Sequence, residues 1–154
     1  MALYIHYGSP KFSPHMFQEI TNRDSFNKPY GGLWASRVGA ERSWRNWCES
    51  ENFRLQCLDT HFRFAITPAA KVCHLYSSKD LDLLPQREDY IDTGRFYPDF
   101  EQMVKDGWDA VELHLSSEDE DLGYDSLYWW LYGWDCDSIL ILNPKIIMPV
   151  TYVR

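Results

Sequence analysis

Four short stretches of this chain hold residues that could do chemistry together. "YIHYGS" places His6 two residues before Gly8 in a short apolar run, and "NKPYGGLWAS" puts Trp34 directly behind a Gly-Gly turn. "RSWRNW" follows with Trp44, and "WDCDSILILNP" sets Asp137 at the head of a late apolar run. Two aromatic faces can hold a cationic ring by stacking and cation–π attraction, worth about 0.5 to 2 kcal/mol each. A fixed carboxylate can stabilise positive charge that develops in a transition state. A histidine can hold a hydroxyl, and a glycine lets a ligand come close to the backbone.

These residues resemble, in pattern and order, the diphtheria-toxin-like and poly-ADP-ribose-polymerase-like branch of the ADP-ribosyltransferase superfamily. The first strand of that branch reads aromatic-His-Gly-Thr/Ser, and here His6, Tyr7, Gly8 and Ser9 follow it with one residue inserted. Its second motif reads Gly-x-Gly-Ile/Leu-aromatic-Phe/Ala-Ala-Ser/Asp, and "YGGLWAS" matches with Trp34 in the aromatic place and Ser36 at the end. A second aromatic comes nine residues after the motif's Ala, where Trp44 stands after Ala35. The third motif places a Glu at the head of a late strand, where this chain has Asp137, one methylene shorter. Some phage-encoded anti-defence members show a similarly abbreviated pattern.

The resemblance implies NAD as substrate, with no metal. It gives the nicotinamide to Trp34 and Trp44, its carboxamide to two hydrogen bonds with the Gly8 backbone, and an adenosine ribose hydroxyl to His6. Asp137 is the first candidate for the catalytic acid. Asp135, which shares its face if the strand already extends there, and Glu112, in a strand with Val111 and Leu113 on the opposite face, are the alternatives. The expected activity is mono-ADP-ribosyl transfer to a protein or nucleic-acid acceptor, as a phage or bacterial toxin or anti-defence effector. NAD hydrolysis is the close variant. The reading from a different class is a non-enzymatic acidic inhibitor on the same scaffold.

The elements that must position these residues can be read from punctuation and periodicity. "LYIHYG", "LWAS", "HFRFAI", "KVCHLY", "AVELHL" and "DSILILN" read as strands, and "KIIMPVTYVR" as a further candidate. "HFRFAI" and "KVCHLY" are either a hairpin or sheet neighbours. Helical readings fall on Met16–Asn22, on the stretch carrying Trp44 and Trp47, on "SSKDLDLLP", and from Pro98 to Asp106 with Gly107 as the stop. "YDSLYWWLYGW" is either a short helix or an aromatic-rich loop, and residues 86–97 and the acidic run at 117–121 read as loop. Strands and helices do not alternate regularly, which favours α+β over a doubly wound fold. The family resemblance makes this a single domain over residues 1–154, with split antiparallel β-sheets flanked by short helices.

Composition agrees with one folded domain: 154 residues, 45% hydrophobic and 25% charged. Aromatics reach 16%, more than a core of this size needs. The net charge of −8 is uneven, because residues 1–71 carry nine basic and six acidic groups and residues 72–154 carry six and seventeen. The acidic C-terminal half disfavours non-specific nucleic-acid binding. The four Cys form no C-x-x-C pair, so zinc is disfavoured and the thiols are expected reduced. No signal peptide and no apolar segment long enough to span a membrane is read, so a cytoplasmic location without membrane contact is expected.

Overall fold

The computed structural model describes residues 1–87, 95–115 and 126–150. The acidic run at 117–121 and most of the loop reading at 86–97 lie outside them. The described chain is an α+β arrangement built on one mixed sheet of seven strands. In chain order the strands are β1 (Tyr4–Tyr7), β2 (Leu33–Arg37), β3 (His61–Ile66), β4 (Val72–Leu75), β5 (Ala110–Leu113), β6 (Ser138–Ile141) and β7 (Ile147–Pro149). Their order across the sheet is β4-β5-β6-β2-β1-β3-β7. All neighbours are antiparallel except β4 and β5, which run parallel. Thus β3 and β4 are neither a hairpin nor neighbours: β3 pairs with β1 and β7, and β4 forms the opposite edge.

Alternation along the strands feeds two cores. Leu140 and Val111 pack with Cys73, Phe100, Met103 and Trp134 on one side, and Ile139, Ile141 and Ala110 pack with Tyr4, Phe62 and Phe64 on the other. The first side is covered by α2 (Phe100–Lys105) and α3 (Leu127–Trp130), each started by a side chain that accepts an orphan N–H. Asp99 accepts from the Gln102 amide and Ser126 from the Trp129 amide, so α2 begins after Pro98 rather than on it. Pro98 instead bridges to Gln86. Among the described residues no helix is long and apolar enough to cross a membrane.

The helix expected over Met16–Asn22 does not form. Only a short 3₁₀ turn, Pro14–Met16, precedes an extended segment whose backbone groups are already engaged. The Gln18 carbonyl accepts the Gly32 amide at 3.0 Å, and Thr21 and Tyr30 exchange two bonds of 3.1 and 2.8 Å. Ile20, buried in the first core, anchors this segment beneath the Gly-Gly turn. The turn is therefore built against a specific stretch of chain, and β2 leaves it with Trp34 already aimed.

The helix carrying Trp44 does form, as α1 (Trp44–Glu51). Ser43 caps it, and Asn52 ends it in the left-handed region at φ 53°. Trp44 and Trp47 stack at 5.2 Å between centroids, with the Phe53 ring edge-on to both. That cluster fixes the orientation of Trp44 from outside the main core.

Candidate functional site

The centre of the sheet opens where β1 and β2 part. β1 matches β3 over four residues but matches β2 only at Tyr4–Arg37 and Ile5–Ser36. The alternation of an antiparallel ladder tells which main-chain groups are left in the gap. The Gly8 amide donates to the Thr60 carbonyl at 2.7 Å on the β3 side, whereas the Leu3 carbonyl accepts from Val38 at 2.8 Å on the β2 side. Even-numbered residues of β1 therefore bond to β3 and odd-numbered ones face β2. Continued, the register would set Tyr7 opposite Trp34, and no such pair forms. The Tyr7 N–H and C=O project across the gap.

His6 bridges the gap instead. Its Nδ1 lies 2.6 Å from the Trp34 carbonyl oxygen. A carbonyl can only accept, so Nδ1 carries the proton and Nε2 keeps a lone pair. Burial pushes the imidazole below its ordinary pKa, with the bond to Trp34 acting in the opposite direction. His6 is therefore a neutral acceptor at neutral pH.

Around this gap lies a cleft of about 500 Å³, a size that suits a small-molecule ligand. His6, Tyr7, Gly8, Ser9, Trp34, Ser36 and Trp44 all line it. The structure thus brings together every residue singled out for cofactor binding from three separated motifs. Ser36 ties the walls to one another: its buried Oγ donates to the Asp137 carbonyl at 3.0 Å and accepts the Trp44 amide at 3.0 Å. One hydroxyl joins β2, the start of α1 and the approach to β6.

Sequence reasoning missed other lining residues. Trp134, fully buried, meets the Trp34 ring edge-on at 4.8 Å and donates its indole N–H to the Asn27 carbonyl at 2.8 Å. Lys28 and Arg54 bring cations to the cleft, and the Lys28 ammonium sits 5.2 Å from the Trp34 ring centroid. Burial pushes Lys28 below its ordinary pKa, while Asp135 and the Cys136 thiol act to raise it. Lys28 was visible in the sequence beside the Gly-Gly turn. Nothing in the sequence assigns Arg54, which reaches the cleft from the turn after α1.

The three candidate acids are not among the lining residues, and among the described residues no carboxylate lines the cleft. Ser138 lies in the cleft, whereas Asp137, one residue before β6, is not among its lining and its charge acts on His114. It is buried, and its amide donates to the Arg42 carbonyl. Asp135 does not extend the strand back toward Asp137's face, because its φ of 66° takes it out of extended geometry. It lines a neighbouring groove that shares Cys136 with the cleft. Glu112 is locked elsewhere, accepting Arg37 through both oxygens at 2.8 and 3.0 Å and the Tyr4 hydroxyl at 2.7 Å.

The four thiols are free, and burial sets their reactivity. It pushes Cys73 and Cys136 up to about 11 and raises Cys48 as well. Cys57, half-exposed in the cleft wall, is the accessible one. Iodoacetamide on the native protein is expected to label Cys57 first, read by peptide mass mapping. Preferential labelling of Cys136 would contradict this cleft geometry.

Compared with family models, with curated proteins and with solved structures, the chain finds no match.

Proposed function

We propose that the cleft between β1 and β2 binds NAD and that the protein transfers ADP-ribose from it to a macromolecular acceptor. The observation that carries this reading is the convergence of residues 6–9, 34, 36 and 44 on one cleft. His6 Nε2 is an acceptor for a ribose hydroxyl. Trp34 and Trp44 offer aromatic faces for the cationic nicotinamide. The main-chain pair suited to its carboxamide belongs to Tyr7, since Gly8 has already given its N–H to Thr60. Lys28 and Arg54 supply positive charge for the pyrophosphate.

The acid is drawn from Asp135 and Asp137, the sequence neighbours of Cys136, which itself lines the cleft. Asp137 holds the position matching the family pattern, and Asp135 is the one whose charge acts on Lys28. That none of the described residues lining the cleft is a carboxylate favours a second reading, in which NAD is bound and not turned over.

Two measurements separate these readings. A ligand that binds only the native state at one hundred times its Kd adds about 2.7 kcal/mol. For a chain of this size that raises Tm by roughly 5 to 10 °C. NAD is expected to give such a shift and to protect Cys57 from iodoacetamide. His6→Ala and Trp44→Ala are each expected to weaken binding at least tenfold, and no shift at millimolar NAD in the wild type would sink both readings. Nicotinamide release that needs a lysate of acceptors and is lost in Asp137→Asn or Asp135→Asn supports transfer and identifies the acid. Release without lysate means hydrolysis, and NAD binding without release leaves the non-catalytic reading.

A further inference from the structure

We infer that His74, Glu112 and His114 form a site for a divalent transition-metal ion, with zinc the ion of best fit, at the parallel β4–β5 edge of the sheet. The register of those strands sets His74 directly beside Glu112. His114, two residues beyond Glu112, comes to the same side, and its amide donates to the Leu75 carbonyl at 2.9 Å. His74 Nδ1 is 3.0 Å from His114 Nε2 and 3.6 Å from Glu112 Oε1, and His114 Nε2 is 3.8 Å from Glu112 Oε2. One ligand atom from each of the three can be chosen so that all lie within 4.8 Å of one another.

Tetrahedral zinc with bonds of about 2.0 to 2.2 Å holds its ligand atoms roughly 3.3 to 3.5 Å apart. The separations of 3.0, 3.6 and 3.8 Å fall within a few tenths of an ångström of that, with a different Glu112 oxygen facing each ring, so a small turn of the carboxylate brings one oxygen into the triad. Two imidazoles and a carboxylate suit zinc and its first-row neighbours, and exclude the all-oxygen preference of calcium and magnesium. The fourth position opens to solvent past His74, whose side chain is 37% exposed.

Glu112 still has capacity to bind. Among the described residues, Oε1 accepts both Tyr4 and Arg37 Nη2, whereas Oε2 accepts only Arg37 Nε and keeps a lone pair. Arg37 and Tyr4 become the outer partners that hold the carboxylate in place. At 3.0 Å the two ring nitrogens share one proton between them. A metal ion takes that proton's place, and both rings then carry their protons on the outer nitrogens, His74 Nε2 and His114 Nδ1. The Tyr76 ring stacks on His114 at 4.3 Å and on His74 at 5.8 Å, which fixes the ring planes. Because Arg37 already shares the one carboxylate, the affinity is expected to be roughly micromolar, weaker than in closed structural sites.

The test is a titration of chelator-treated, full-length protein with Zn²⁺ by calorimetry, followed by Co²⁺ substitution. The expected result is one ion per chain and visible Co²⁺ bands of the intensity given by low-coordinate nitrogen and oxygen ligands. His74→Ala and His114→Gln are each expected to weaken binding at least tenfold. His15→Ala, at an exposed histidine outside the cluster, should change nothing. Circular dichroism confirms that each variant is folded, and the zinc-induced rise in Tm gives a second readout that His74→Ala should lose and His15→Ala should keep. Sub-stoichiometric binding, or binding that survives His74→Ala, overturns the site and leaves a His-His hydrogen bond beside a buried ion pair. Neither result depends on NAD.

Discussion

Replacing Gly31 with alanine is expected to cost at least about 3 kcal/mol, and Gly32→Ala nearly as much. Both glycines sit at positive φ, 79° and 72°, where a side chain alone is strained by about 1 to 3 kcal/mol. Neither has room for one. A Cβ on Gly31 would fall on the Glu19 carbonyl oxygen and 2.6 Å from that of Gln18, and backbone cannot rotate aside. A Cβ on Gly32 would lie 2.8 Å from the Leu140 side chain and 2.9 Å from both Ile20 and the Ile141 carbonyl. Gly39 is the control, since its φ of 84° is similarly left-handed but nothing lies within 4 Å of its added Cβ. Gly39→Ala should cost about 1 kcal/mol, the backbone part alone. Urea unfolding at constant m-value measures all three. A Gly31→Ala unfolding free energy within about 1 kcal/mol of wild type would mean that the chain at Gln18 and Glu19 is not held where it is. The functional consequence lies at Trp34, because the same turn aims β2 at the cleft, so a folded Gly32→Ala protein should also lose the NAD-induced shift.

That turn shows what a sequence can and cannot display. Two adjacent glycines before an aromatic point to a close approach, and the family resemblance implies a second ring at Trp44; Trp34 and Trp44 both line the cleft. What they approach is non-local, since Gln18 and Glu19 read as part of a helix until the Gln18 carbonyl is seen bonded to Gly32 and the Glu19 carbonyl packed against Gly31. The acids were harder for the same reason. Asp137 was placed by the apolar run behind it, but the direction of its side chain depends on where β6 begins, and β6 begins at Ser138. Asp135 shares no face with it because a φ of 66° leaves no trace in the amino-acid types. Glu112 looked like a catalytic contender because Val111 and Leu113 lie on the opposite face of its strand, leaving it free to face a pocket; what it faces needs explaining. The explanation was Arg37, 75 residues away in sequence, and the two come close only because β2 and β5 both flank β6. Strand existence was legible from alternation; the parallel edge was not, since β4 carries the same period of two whichever neighbour it takes.

Arg37→Met is expected to cost about 3 kcal/mol, lowering Tm by roughly 6 to 12 °C. The cost lies on Glu112 rather than on Arg37. Arg37 is 40% exposed, so solvent screens much of its own share of the attraction, whereas Glu112 at 3% exposed cannot recover water when the guanidinium goes. Its remaining donor among the hydrogen-bond partners described above is Tyr4, whose phenol stays protonated because burial first, and then the Glu112 charge, hold it above its ordinary pKa. Glu112→Gln should be milder, about 1 to 2 kcal/mol, because the amide keeps an acceptor for Tyr4 and Arg37 can turn outward to solvent. Combining Arg37→Met with Glu112→Leu should recover most of the loss, since no uncompensated charge is then buried, and a coupling energy near zero would show that the pair is not the unit described here. The single variant also bears on the metal site. With Arg37 gone, both Glu112 oxygens have lone pairs to give and the carboxylate lacks a cation, so Zn²⁺ should bind Arg37→Met more tightly than wild type and restore part of its Tm. A metal site elsewhere on the chain would leave that deficit unchanged, because only an ion on Glu112 can replace the charge that Arg37 supplied.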